Sequence, residues 1–127
     1  MISLQVSGTF IAAYAIALIF LTGAVGLYRG RAGILRGDGG DAILHKRIRI
    51  HGNLTENAPA FALALVAAEI LGLAQVWLWI AVASFVVGRV FHHVLYDDAR
   101  RGAPMFLTQA PSALLGLWIL SSIWLSR

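Results

Sequence analysis

Polar residues recur at helical spacing in a chain that is otherwise strongly apolar. Arg49, Asn53 and Glu56 fall at i, i+4 and i+7, which puts them on one helix face, Arg49 and Glu56 within about 20° of each other. Arg89, His92 or His93, and Tyr96 repeat the spacing in a later segment. On antiparallel neighbouring helices, with a bilayer boundary near Ile48 and Tyr96, Glu56 and Arg89 would both lie ~10 to 12 Å inside and could meet. An unpaired charge at the bilayer centre costs at least ~2.5 to 3.5 kcal/mol, so the two are expected to face the bundle interior and compensate one another. Such a pair either fixes helix register or belongs to a functional site, and the spacing admits both readings.

The other reactive side chains point less far. His92 and His93 are adjacent, about 100° apart on a helix, and cannot ligate one metal together. His51 and His92 on opposing helices could bracket a haem, but two ligands in a small apolar chain are a thin pattern, and no metal is implied. Residues 37–41, Gly-Asp-Gly-Gly-Asp, lack the Gly-Lys-Ser/Thr of a phosphate loop and the carboxylate spacing of a calcium loop, and read as a turn. The chain has no cysteine. It therefore has no thiol nucleophile of its own, and any sulfur chemistry must come from a substrate. His45 and Lys46 read as a solvated first turn, and Glu69, within a turn of Gly72, as an exposed interface residue.

The elements that must hold these residues are membrane helices. Of 127 residues, 59% are apolar and 13% charged, far from the soluble mean. Stretches 8–28 and 102–126 carry no charge, and each is long enough to cross a ~30 Å hydrocarbon core at ~1.5 Å per residue. A glycine- and arginine-rich loop, 29–41, separates the first helix from a second that starts at Asp41 as N-cap and stops at Gly72. The uncharged turn 73–75 pairs that helix with a third, about 76–97, whose Trp77, Trp79 and Tyr96 suit the two interfaces. A fourth, about 104–126, opens at Pro104. Helix bounds of about 8–28, 42–71, 76–97 and 104–126 make one four-span domain, an all-α integral membrane bundle. Pro59 and Pro111 fall inside spans, where neighbours must satisfy the carbonyls they free.

Net charge is +4, but the basic residues flank apolar spans and no aromatic-lined groove is evident, so the charge reads as membrane orientation and not as nucleic-acid binding. The first loop and the start of the second helix hold six Lys and Arg, the 3–4 loop two, and the 2–3 turn none. Both termini are therefore expected to face away from the cytoplasm, across a cell inner membrane.

Residues 47–59, Arg-Ile-Arg-Ile-His-Gly-Asn-Leu-Thr-Glu-Asn-Ala-Pro, resemble the signature of the MAPEG family, the membrane-associated proteins of eicosanoid and glutathione metabolism. Its pattern Arg-x-x-x-Asn-x-x-Glu-x-x-Pro is matched at Arg49, Asn53, Glu56 and Pro59. Gly88, Arg89, His92 and Tyr96 look like the family's third-helix segment. Residues 101–108 are similar to the Arg-x-x-Gly-x-x-x-Thr of small bacterial inner-membrane members, with Pro104 where glycine is usual. The resemblance implies a homotrimer that binds glutathione as co-substrate between subunits, near the cytoplasmic side. Carried over, Arg49, Asn53 and Glu56 would hold glutathione, Arg89, His92 and Tyr96 would complete the pocket, and Arg101 would activate the thiol. An arginine suits that task, because a thiol of pKa about 8.5 needs a neighbouring cation to ionise at neutral pH.

The implied function is a glutathione-dependent membrane enzyme, of transferase, peroxidase or isomerase type, acting on a lipophilic electrophile from the bilayer. The partners would be membrane lipids, a lipophilic small molecule and further copies of the chain. The competing reading is a non-catalytic lipid- or glutathione-binding or scaffold protein, which would use the same pocket.

Overall fold

The computed structural model describes residues 4–98 and 102–125. Its elements are four helices, α1 Gln5–Ala32, α2 Ala42–Ile70, α3 Gln75–Val94 and α4 Gly102–Trp124. Three of them, α1, α3 and α4, are long and apolar enough to cross a membrane. α2 carries Lys46, Arg47, Arg49, Glu56 and Glu69 along its 29 residues and packs lengthwise against α1 and α4. Going round the bundle the neighbours are α1, α2, α4 and α3, with α3 and α1 closing the ring most loosely. The protein is an all-α membrane bundle.

The turns follow from residues that break helices. Gly33, at φ 68°, ends α1 in the left-handed conformation that glycine adopts without strain. Asp41 caps α2 by accepting from the Leu44 amide at 2.8 Å, and its other oxygen accepts from the Tyr28 hydroxyl at 3.0 Å. Gly72, at φ 88°, ends the α2 run and sets up the short turn into α3.

The interior divides into two halves. Towards the α2–α3 turn it is apolar apart from Ser7: Phe61 and Phe85 stack at 4.5 Å between ring centres, and Phe10 of α1 meets both edge-on at 4.9 and 5.4 Å. Val6, Leu65, Leu78 and Leu115 fill the space around them. At the other end the buried side chains include Asn53, His92 and Thr108.

Glu69 corrects an expectation. It is not an exposed interface residue, because its carboxylate is turned onto the start of α1. It accepts from the Val6 and Ser7 amides, each at 2.9 Å, and from the Ser7 hydroxyl at 2.5 Å. A helix start leaves its first amides unsatisfied and carries partial positive charge, so a carboxylate from a neighbouring helix fits there.

Pro111 also finds its compensation. It has no N–H to give the carbonyl four residues back, and Ser84 of α3 donates its hydroxyl to that oxygen, on Leu107, at 2.9 Å.

Candidate functional site

The polar end is built where α2, α3 and α4 meet. Asn53 and His92 are each 8% exposed, and the Asn53 amide nitrogen donates to His92 Nε2 at 3.0 Å. Arg89, one turn earlier on α3, is half-buried and ties the three helices together. Its Nε donates to Thr108 Oγ1 at 3.0 Å, its Nη1 to the Asn53 carbonyl at 3.3 Å, and its Nη2 to Met105 Sδ at 3.3 Å. The Thr108 hydroxyl in turn donates a hydrogen bond to the Pro104 carbonyl at 3.1 Å. The close approach of α3 and α4 here depends on Gly88, where a β-carbon would stand 2.6 Å from Thr108 Oγ1.

The expected Glu56–Arg89 ion pair is not formed. Glu56 is exposed, and Arg89 has only neutral acceptors among the described residues. The reason is helical phase. At 100° per residue Arg49 and Glu56 share a line about 40 to 60° to one side of Asn53, whereas Asn57 lies about 40° to the other. The Asn53 and Asn57 line faces the seam, and the two charges point out of it. Arg49 is likewise exposed.

His92, not His93, is the inward member of its pair. Tyr96 differs from expectation in a smaller way, because α3 ends at Val94 and Tyr96 sits in the turn beyond it. That turn is tied back to α2 by Lys46, which is not simply solvated. The ammonium lies 2.5 Å from Asp97 Oδ2 and 5.4 Å from the centre of the Tyr96 ring, whose edge meets the His92 ring at 6.3 Å. Arg101 lies outside the described residues. His51 bonds Thr22 of α1 at 3.1 Å while His92 bonds Asn53, so each candidate haem ligand is engaged elsewhere.

Two site residues escaped the sequence reading. Gln109 donates to Asn57 Oδ1, and Asn57 in turn donates to the Asn53 carbonyl at 2.6 Å, forming an amide ladder along the α2–α4 seam. The available signal was Asn57 one turn beyond Asn53, and a lone glutamine in the charge-free fourth span. Beside the cluster a cavity of ≈ 280 Å³ is lined by Leu21, Ile50, Leu54, Arg89, His92 and His93, among others. Its wall is mostly apolar, with Arg89 and the two histidines as the polar side chains on it.

A family model, described as MAPEG family, matches residues 7–121, nearly the whole chain and all four helices. The chain belongs to the MAPEG family. No curated protein and no solved structure gives a significant match. Within this MAPEG chain Asn53, alone of the α2 stripe, meets the Arg89–His92 segment of α3 at one end of the bundle, and the fourth helix joins them through Thr108. Membership relates the protein to a glutathione-linked family of membrane proteins. What the cluster offers chemically is a set of fixed donors, Asn53, Arg89 and Gln109, beside exposed charges of both signs.

Proposed function

We propose that this MAPEG protein is a glutathione-dependent membrane enzyme acting on lipophilic electrophiles delivered by the bilayer. The observation that carries the proposal is the polar seam of Asn53, Arg89, His92 and Thr108, at one end of a bundle whose other half is mostly apolar. Glutathione offers two carboxylates, an ammonium and two amides. Arg49 and Glu56 supply complementary charges and Asn53 an amide. His92 holds the Asn53 amide in place, and Tyr96, in the turn after α3, stands against the His92 ring, where it would close the glutathione site. Of the five N–H donors of Arg89, three are engaged within the bundle and two are left for a ligand.

The remaining requirement is a thiolate. Arg101 is the cation assigned to it, since an arginine favours the ionised thiol without giving up its own proton. The thiol proton would leave to water, and the thiolate sulfur would then bond the electrophilic centre as the electron pair of the bond broken there departs with the leaving group or, in an addition, moves to an atom that takes a proton from water. The family resemblance implies a homotrimer, and the exposed Arg49 and Glu56 on α2 suit a face that another copy of the chain covers. The proposed setting is an inner membrane with both termini away from the cytoplasm, which reporter fusions at the C-terminus would check.

The deciding experiment adds glutathione to purified protein and records the ultraviolet difference absorbance of the thiolate. A thiolate band, together with a melting temperature that rises with glutathione and much less with a peptide lacking the γ-glutamyl group, is the expected result. Absence of both at millimolar glutathione would sink the enzyme reading. Thermal stabilisation without thiolate would leave a binding protein.

A further inference from the structure

The loop from α1 to α2 displays an apolar side chain on its outside. Leu35 is 93% exposed, the highest of the large hydrophobic residues described. The loop around it is closely determined. The Ile34 amide bonds the Arg29 carbonyl at 3.1 Å, and Ile34 packs inward against Gly39, where a β-carbon would stand 3.2 Å from its side chain. Gly40 donates to Asp38 Oδ1 at 3.1 Å, and His45 Nδ1 to Asp38 Oδ2 at 2.6 Å. Ile34 turns in and Leu35 turns out.

Charges sort in the same way. The carboxylates of Asp38 and Asp41 are engaged within the loop and at the start of α2. Arg31 and Arg36 are exposed and form no hydrogen bond or ion pair with any described residue. At the end of α1 and the start of the loop, one exposed leucine thus lies close in sequence to two exposed guanidiniums without partners among the described residues.

Depth decides what meets that face. The start of α1 is level with the α2–α3 turn, as the contacts of Val6 and Ser7 with Glu69 require. From there the 28 residues of α1 run ~42 Å, against ~30 Å of hydrocarbon and ~40 to 45 Å with headgroups included. Arg29, in the last turn, reaches the Leu35 carbonyl at 3.5 Å. With the charge-free run 8–28, ~31 Å long, laid across the hydrocarbon, Arg29 marks its edge and Leu35, Arg31 and Arg36 fall at headgroup level in the far leaflet, where an apolar side chain has acyl chains to enter and guanidiniums have phosphates to bind.

We propose that residues 31–36 form a site for acidic phospholipid, with Leu35 inserted below the headgroups and Arg31 and Arg36 on the phosphate. Acidic lipid is preferred because a zwitterionic headgroup cancels its phosphate with its own cation. The site is independent of the glutathione reading.

The test uses the full-length protein. Leu35→Trp is reconstituted into vesicles of phosphatidylcholine, alone or with an equal part of phosphatidylglycerol, and compared with the parent to isolate the new indole. Blue-shifted emission, quenched by acyl chains brominated near the headgroup and more strongly in acidic vesicles, is expected. Retention of phosphatidylglycerol by detergent-purified protein, read by native mass spectrometry, should weaken roughly thirtyfold in the Arg31→Gln, Arg36→Gln double variant, since each basic residue near an anionic surface is worth about fivefold. Water-like, unquenched emission in both vesicle types would overturn the proposal, as would parent-like retention by the double variant. If glycerol phosphate displaced the lipid at equal concentration, the site would be one for free phosphate and the lipid assignment would fall.

Discussion

Gly88 and Thr108 hold α3 and α4 close to backbone contact, with the missing β-carbon of Gly88 leaving room for the hydroxyl that receives Arg89. A methyl group there would meet Thr108 Oγ1 at 2.6 Å and the Pro104 carbonyl at 2.8 Å, and backbone cannot step aside as a side-chain tip can. Gly88→Ala is therefore expected to destabilise the protein by ~1 to 3 kcal/mol through overpacking, and to disturb the Arg89–Thr108 bond. Thermal melting in detergent reads the loss, and a melting curve identical to the parent's would show that the helices are not so closely apposed.

The two glutamates of α2 should behave oppositely. Glu69→Ala strips the Val6 and Ser7 amides of their acceptor and is expected to cost ~1 to 2 kcal/mol, by analogy with loss of a helix cap. Glu56→Ala removes an exposed carboxylate and should leave intrinsic fold stability nearly unchanged while weakening glutathione binding. Chemical denaturation and glutathione titration of both variants separate the roles; equal loss of stability would contradict the assignment.

Arg101→Ala should retain measurable glutathione affinity but lose the thiolate absorbance, because a cation beside the sulfur acts on ionisation more than on binding. Asn53→Ala should weaken binding itself, since the Asn53 amide also fixes the His92 ring. Arg100→Ala should resemble the parent. If Arg100 carries the loss instead, the register of the loop before α4 is off by one residue.

The first loop should loosen in acid. The hydrogen bond from His45, then that from the Gly40 amide, hold the Asp38 carboxyl below its ordinary value, and the Leu44 amide chiefly does the same for Asp41. For a depressed carboxyl, the contribution to stability is present above the ordinary pKa of ~3.9 and disappears as pH falls through the lower folded value. Hydrogen exchange at the Leu44 amide should therefore stay slow, relative to its intrinsic rate, down to about that pH and lose protection below it. Asp41→Asn should flatten the profile; an unchanged profile would mean that Asp41 does not govern it.

The helices were legible because their signals are local: charge-free runs for α1 and α4, Asp41 as cap, Gly72 as stop; α1 was cut short at 28, because Arg29 and Gly30 suggested a loop where the helix runs on to Ala32. Convergence of Asn53, Arg89 and His92 also followed from periodicity. What periodicity could not deliver was rotation about the helix axis, and a shift of some 40 to 60° separates a Glu56 facing Arg89 from a Glu56 facing outward. Glu69 was harder still, because its partners are main-chain amides of a helix start far away in the chain, which no residue type advertises. Tyr96 was misplaced by the early end of α3, where no glycine or proline marks the stop.

The bond from Ser84 to the Leu107 carbonyl makes the effects of two substitutions depend on their order. With Pro111 present, Ser84→Ala leaves a carbonyl without a partner where water is scarce, a deficit of several kcal/mol unless something else moves in. With Pro111 first replaced by alanine, the helix supplies its own N–H to Leu107, and the same serine change becomes nearly silent. In an evolving lineage this works as a ratchet: the serine can come before the proline and outlast it, but the proline is hard to keep once the serine is gone.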